Sequence, residues 1–354
     1  MDFLFEYGIF LAKTVTIVAA IGFLLVTLTS TTQRLKKMEK QGYVEIKSLN
    51  EKYEDISHAM QAAILSEADY EATEKAEKKA NKIKLKAEKA KHKKGQENAV
   101  RKPRLFVMDF LGDIKASDAE MLSEKITAVL TQAKPEDEVV LRLESSGGMV
   151  HSYGFAASQL QRIRDRSIPL TVCVDKVAAS GGYMMACIGS QIFSAPFAVI
   201  GSIGVVAQIP NFNRLLKKHD VDYEVLTAGE YKRTLTMLGE NTEKGREKFQ
   251  QEIQETHDLF KDFVAASRPD LNMDIVATGE TWFGKKAVDL GLADKILTSE
   301  EYIFSRHPDA DIYHIGWIEK HSIAERLGFA AEASIERVLK RALSEVKNRK
   351  IFLQ

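Results

Sequence analysis

Between Leu105 and Ser267 the chain alternates short, uninterrupted apolar runs with longer stretches of helical spacing, and few architectures accommodate that alternation. Leu105-Phe106-Val107-Met108-Asp109-Phe110 opens the series, and Val139-Val140-Leu141-Arg142-Leu143 and Leu170 to Val174 read as short buried strands. Ala116 to Ala133 carries Met121, Ile126, Val129 and Leu130 at helical spacing, and Val150 to Arg166 is helical again. Phe193 to Val206 is rich in Ile, Val and Gly, Val221 to Leu226 adds a further strand, and Asn241 to Ser267 is a long, charged amphipathic helix. Strands and helices at this spacing predict an α/β domain with parallel strands covered by helices.

The remainder of the 354 residues is divided by composition. Gly8 to Thr29 is apolar over the length of a bilayer-spanning helix, with Lys13 its one charge. The residues before it are acidic (Asp2, Glu6) and no Ala-x-Ala site follows, which favours an uncleaved anchor in residues 1–33 over a signal peptide. Arg34, Lys36, Lys37 and Lys40 flank its far side and place the body of the protein in the cytoplasm, with the periplasm as the alternative. Residues 34–102 read as a lysine-rich helical or partly disordered stalk, residues 103–298 as the folded domain, and residues 299–354 as an extension ending in a basic amphipathic helix, Ser334 to Phe352. Whole-chain charge balances at 50 basic and 50 acidic residues, so nothing in it calls for nucleic acid. Cys173 and Cys187 lie in apolar surroundings without ligand spacing, which argues against a disulfide framework or a zinc site. No phosphate-binding glycine motif is present, so neither a nucleotide cofactor nor a metal is expected.

Ser180, in Ala178-Ala179-Ser180-Gly181-Gly182-Tyr183-Met184, stands between strand-forming and helix-forming residues. Free backbone N–H groups there suit a developing oxyanion, and the serine reads as a nucleophile. Taken alone, the same tripeptide is better described as a helix cap followed by a glycine turn. A serine nucleophile needs a base, and of eight histidines only His151, just after a glycine loop, is a candidate. A lysine in a desolvated pocket is the alternative, offered by Lys232 in Gly229-Glu230-Tyr231-Lys232, although an isolated lysine is ordinarily a surface residue.

Together, Ala179-Ser180-Gly181-Gly182-Tyr183, Gly201-Ser202-Ile203-Gly204-Val205 and Gly229-Glu230-Tyr231-Lys232 resemble the Ser/Lys-dyad core of the signal peptide peptidase A family. The 52 residues from Ser180 to Lys232 fit that family, as do Thr281-Trp282-Phe283-Gly284 and Leu290-Gly291-Leu292-Ala293-Asp294. One anchor, a lysine-rich stalk and a single peptidase domain resemble its SohB branch. The resemblance implies Ser180 as nucleophile, Lys232 as general base, Ser202 as the hydroxyl orienting the lysine amine, and Gly147 or Gly148 with Gly181 as oxyanion donors. Many relatives carry proline where this chain has Ser146, a departure that removes no backbone donor.

The implied fold is a ClpP/crotonase-like spiral of ββα units. The implied protein is an inner-membrane endopeptidase acting on hydrophobic peptides such as signal-peptide remnants and membrane-protein fragments. It would be assembled as a ring, with serine and lysine able to come from neighbouring subunits. Met149, Met184, Met185 and Leu238 are candidates for a substrate groove, although apolar residues near glycines are more often core. A non-proteolytic membrane scaffold and acyl-CoA chemistry on the same fold are the competing readings.

Overall fold

The computed structural model describes residues 42–93 and 101–319, together with positions 13 and 16. Apart from positions 13 and 16, the expected membrane span lies outside the described residues, as does the C-terminal amphipathic helix. Among the described residues no helix is long and apolar enough to cross a membrane.

Residues Val44–Gly316 form one compact unit. The strands among the described residues are β1 (Gly42–Ser48), β2 (Arg104–Gly112), β3 (Glu138–Ser145), β4 (Leu170–Val174), β5 (Val177–Ala179), β6 (Gln191–Ser194), β7 (Val199–Gly201), β8 (Thr281–Phe283), β9 (Lys295–Ile296) and β10 (Asp311–Glu319). The main path runs β1-β10-β2-β3-β4-β6-β9, and β5 branches from β3 to carry β7 and then β8. Pairings from β10 through β9 and from β3 through β7 are parallel, whereas β8 is antiparallel to β7.

The uninterrupted apolar runs follow from this architecture. Successive side chains of a strand point to opposite faces. Accordingly Phe106, Met108 and Phe110 of β2 and Val139, Leu141 and Leu143 of β3 enter one core cluster. Leu105, Val107 and Val140 enter another, on the opposite face of the sheet. The first cluster is covered by α3 (Ala119–Leu130), α4 (Val150–Arg164), α5 (Gly181–Ala186) and α7 (Glu243–Ser267), the last through Phe260 and Val264. The second is covered by Leu49 and Tyr53 of α1 (Leu49–Ile64) and, beyond the short α8 (Met273–Val276) and α9 (Gly284–Asp289), by Ile303 of α10 (Ser299–Arg306). A parallel sheet sheathed on both sides needs apolar residues at every strand position, which the alternation anticipates.

Two boundaries and one strand differ from the sequence reading. The range read as stalk contains β1 and α1, which join the folded unit, before α2 (Glu67–Lys93). Beyond residue 298, α10 and β10 add to the same unit. The strand expected at 221–226 is absent: these residues lie in an irregular segment after α6 (Asn213–Lys218), with Val221, Tyr223 and Leu226 exposed and no partner strand among the described residues. An extended run of β-formers becomes a strand only where another backbone edge takes its hydrogen bonds.

Candidate active site

The parallel strands β3, β5 and β7 end side by side, with Ser145 opposite Ala178 and Ala179 opposite Gly201. Ligands of parallel sheets sit beyond such carboxyl ends. Ser180 follows β5 directly, and its N–H donates to the Gly201 carbonyl at 2.8 Å. Its backbone takes φ 51° and ψ −119°, a region that ordinarily belongs to glycine and costs a side-chain-bearing residue about 1–3 kcal/mol. The chain can turn so sharply into α5 because Gly182 packs on β3. A Cβ there would stand 2.4 Å from the Ser145 carbonyl oxygen. All six residues of α5 are buried, whereas Ser180 is half-buried and its hydroxyl makes no hydrogen bond among the described residues. An unengaged hydroxyl on a strained, rigidly backed turn is accessible to an incoming carbonyl.

The loop after β3 faces this serine. Gly147 has φ 89°, and a Cβ on it would fall 2.7 Å from the Gly181 nitrogen and 2.8 Å from the Ser180 Cβ. The Gly147 N–H is already committed to the Ser145 Oγ at 3.0 Å. Neither the Gly148 N–H nor the Gly181 N–H has an acceptor among the described residues. Ser145 Oγ in turn lies 2.5 Å from the Tyr153 hydroxyl, which donates to the Asp113 carbonyl at 2.7 Å. Met149, next in the loop, donates its N–H to the Ile114 carbonyl at 2.8 Å. The glycine loop is therefore held at both ends by the turn that follows β2.

Ser202 leaves β7 as Ser180 leaves β5, also at φ 51°. Its N–H donates to the Glu280 carbonyl at 2.6 Å, and His257 Nε2 lies 3.2 Å from the Ile203 carbonyl. Gly201 is pressed on Trp282, with no room for a side chain. The Thr281-Trp282 segment singled out in the sequence thus backs the Ser202 turn.

Ser180, Ser202, Gly147, Gly148 and Gly181 are brought together; Lys232 is not joined to them. It sits exposed in a turn, its N–H on the Gly229 carbonyl at 3.2 Å, and no hydrogen bond or ion pair connects it to either serine among the described residues. Its neighbours are engaged elsewhere: Glu230 pairs with Lys244, and the Tyr231 ring lies beneath the ammonium groups of Lys244 and Lys248. His151 is exposed, and no histidine bonds Ser180 among the described residues.

Of the expected groove residues, Met149 and Leu238 are exposed, whereas Met184 and Met185 belong to the core. Ile114, Val150 and Phe155 add exposed apolar surface around the glycine loop. Both cysteines are buried, and burial pushes the Cys187 thiol up to about 12 and raises Cys173 as well, so neither supplies a thiolate nucleophile. No cluster of metal-ligating side chains occurs among the described residues. A cleft of about 330 Å³ opens on the opposite face of the sheet, but its charges satisfy one another. Asp109 pairs with Arg142 at 2.6 Å, Lys176 with Glu144 at 2.8 Å, and Ser299 donates to Asp175.

Tyr153 was not legible as a site residue. A tyrosine on the inner face of a helix reads as core, although a buried phenol requires a hydrogen-bond partner and Ser145 lies only eight residues upstream.

Comparison with known proteins shows the family. Residues 2–160 match the model of the peptidase family S49 N-terminal region, and residues 162–312 match that of peptidase family S49. The probable protease SohB of Haemophilus influenzae is 51% identical over 341 residues, covering 96% of each chain. Its counterpart from Buchnera aphidicola of Schlechtendalia chinensis is 47% identical over 86% of this chain and 100% of that one. Among solved structures, a variant of the 1510-N membrane-bound stomatin-specific protease aligns with 61% of this chain and 99% of its own, at 13% identity and a TM-score of 0.41. With two family models end to end and half of all residues shared along nearly the whole length, the chain belongs to peptidase family S49, the SohB type, and is a serine-type peptidase.

Proposed function

We propose that the protein is a membrane-anchored endopeptidase that cleaves hydrophobic peptides, signal-peptide remnants and membrane-protein fragments among them, with Ser180 as nucleophile and Lys232 as general base. The observation that carries this reading is the Ser180 hydroxyl, without a hydrogen bond among the described residues, on a strained turn that the Gly147 loop packs against. Ser180 Oγ attacks the scissile carbonyl carbon while the neutral Lys232 amine accepts its proton. The developing oxyanion accepts hydrogen bonds from Gly148 and Gly181, with Gly147 shaping the loop. Collapse of the tetrahedral species expels the amine, which takes the proton back from Lys232, and water then hydrolyses the acyl-enzyme by the same route. Ser202 orients the lysine amine.

Lys232 reaches Ser180, in this reading, from a neighbouring copy of the chain in a ring. The segment bearing Lys232 is exposed and rich in uncovered apolar side chains, including Val206, Leu226 and Met237, as expected of a surface that another subunit covers. An amine taken out of water there favours its neutral form. Exposed Ile114, Met149 and Phe155 beside the glycine loop suit an apolar substrate. Residues 8–29 anchor the chain in the bacterial inner membrane with the domain on the cytoplasmic side. The fold fits a ClpP/crotonase-like spiral.

Fluorophosphonate labelling of the detergent-solubilised full chain, read by peptide mapping, tests the reading. Modification of Ser180 that disappears in Ser180→Ala and falls sharply in Lys232→Ala is expected. A verified oligomer that stays unlabelled while fully folded would remove the dyad mechanism.

A further inference from the structure

The Tyr153 side chain is in contact with both backbone segments that face Ser180. It is fully buried on α4, with its ring edge-on to Phe110 at 6.4 Å between centroids. That ring also fills the space in which a Cβ on Gly181 would stand, 2.4 Å from the Tyr153 Cγ. Its hydroxyl reaches the other segment. The phenol has one proton, which goes to the Asp113 carbonyl at 2.7 Å, so the 2.5 Å contact with Ser145 is a bond in which the serine donates. Ser145 Oγ is then free to accept the Gly147 N–H at 3.0 Å. The result is a one-directional chain, Gly147 N–H to Ser145 to Tyr153 to the Asp113 carbonyl, in which each bond polarises the next.

Asp113 is itself fixed. Its carboxylate accepts from the N–H of Ser117 at 2.8 Å, the hydroxyl of Ser117 at 2.7 Å and the N–H of Lys115 at 3.1 Å. The next carbonyl in this turn, that of Ile114, holds Met149. Gly147 is thus pinned through Tyr153 and Met149 through Ile114, and the Gly148 N–H between them is left without an acceptor among the described residues.

We infer that Tyr153 is a positioning residue for the oxyanion site: its hydroxyl draws the Gly147 N–H out of the hole and sets the direction of Gly148, while its ring fixes the Gly181 backbone. This rests on the reading of Ser180 as nucleophile. Such a role acts on the transition state and not on substrate binding, because the oxyanion donors engage fully only as charge develops on the substrate oxygen.

Tyr153→Phe separates the two functions of the side chain, since the ring stays and only the hydroxyl leaves. The Asp113 carbonyl keeps the Ala116 N–H at 3.0 Å as a donor, and β3 keeps its pairing with β2 through Ser145, so the fold is retained. The experiment is steady-state cleavage of an apolar fluorogenic peptide by the full chain in detergent, alongside inhibition by a peptidyl aldehyde and fluorophosphonate labelling of Ser180. Expected for Tyr153→Phe is a fall in kcat of about 10- to 100-fold with KM within about twofold of wild type, and weakening of the aldehyde in parallel with kcat/KM. Ser145→Ala interrupts the same chain and is expected to match Tyr153→Phe, with no further loss in the double variant. Wild-type kcat in Tyr153→Phe, a loss confined to KM, or additive losses in the double variant would each overturn the positioning role while leaving the nucleophile intact. If wild-type protein is itself never acylated at Ser180, the reading of the site falls and the role of Tyr153 falls with it.

Discussion

Ser180 and Ser202 are matched across two parallel strands: each follows a strand end, each has φ 51°, and the N–H of Ser180 bonds the carbonyl of Gly201, the residue before Ser202. Two serines at the positive φ that suits glycine, each following the paired ends Ala179 and Gly201, are held there by the surrounding structure. Gly201 has no space for a side chain beside Trp282, and Gly182 has none beside Ser145. The strain is borne by the core behind them.

Glycine at position 180 should therefore relieve strain as it removes the nucleophile. Ser180→Gly and Ser180→Ala are both expected to be inactive, with the glycine variant more stable by about 1 kcal/mol after glycine's entropic cost, or about 2 °C in Tm. Calorimetry of the two variants side by side decides it; an alanine variant of equal or higher Tm would show that the turn carries no strain.

If lysine and serine meet across a subunit boundary, two dead variants can repair one another. Ser180→Ala and Lys232→Ala copies, coexpressed at equal levels, should recover about a quarter of wild-type activity, because a random ring makes one boundary in four from an intact serine and an intact lysine. Recovery that never rises above either variant alone would mean that each copy supplies both groups.

Gly181→Ala should be more harmful than an ordinary glycine-to-alanine change. Its Cβ would overlap the Tyr153 ring, a rigid group held between helix and sheet, so α5 must move. A stability loss of about 1–3 kcal/mol by urea titration is expected, together with loss of Ser180 labelling at temperatures where the variant is fully folded. Normal labelling would show that the helix start tolerates displacement.

Asp137 contributes to the acid sensitivity of the domain. Burial raises its carboxyl, but hydrogen bonds from Arg101, from the Arg104 and Lys134 N–H groups and from the Arg104 side chain outweigh this and hold it at about 2. A folded-state value below the unfolded one contributes stability above about pH 4, and that contribution is lost as pH falls toward 2; its size is about 2 kcal/mol. Asp137→Asn should be less stable at neutral pH and should flatten the stability profile between pH 4 and pH 2. An unchanged slope in that window would assign the acid sensitivity to other carboxylates.

Much of the sheet was legible because its central strands are covered on both faces: the runs at Leu105, Val139 and Leu170 are apolar at nearly every position and became β2, β3 and β4. The edges were not. In β1, Gly42-Tyr43-Val44-Glu45-Ile46-Lys47-Ser48 mixes charges into a short partly exposed strand, and charged helical residues follow it, so the whole range read as stalk. The serines and glycines of the site were readable from their spacing with turn-forming neighbours. The hydrogen-bond chain through Tyr153 was not, because it joins residues from three elements whose proximity only the folded sheet creates.

The placement of β1 beside β10 has a practical corollary. A soluble fragment begun near residue 103 would discard β1 and leave the main-chain donors and acceptors of β10 without their neighbour, while Ile312 and Ile315 lie in that same strand. A bare edge of this kind recruits other chains edge to edge. Such a fragment would aggregate or dimerise through a surface the intact protein never presents, and its subunit count would describe the truncation and not the enzyme.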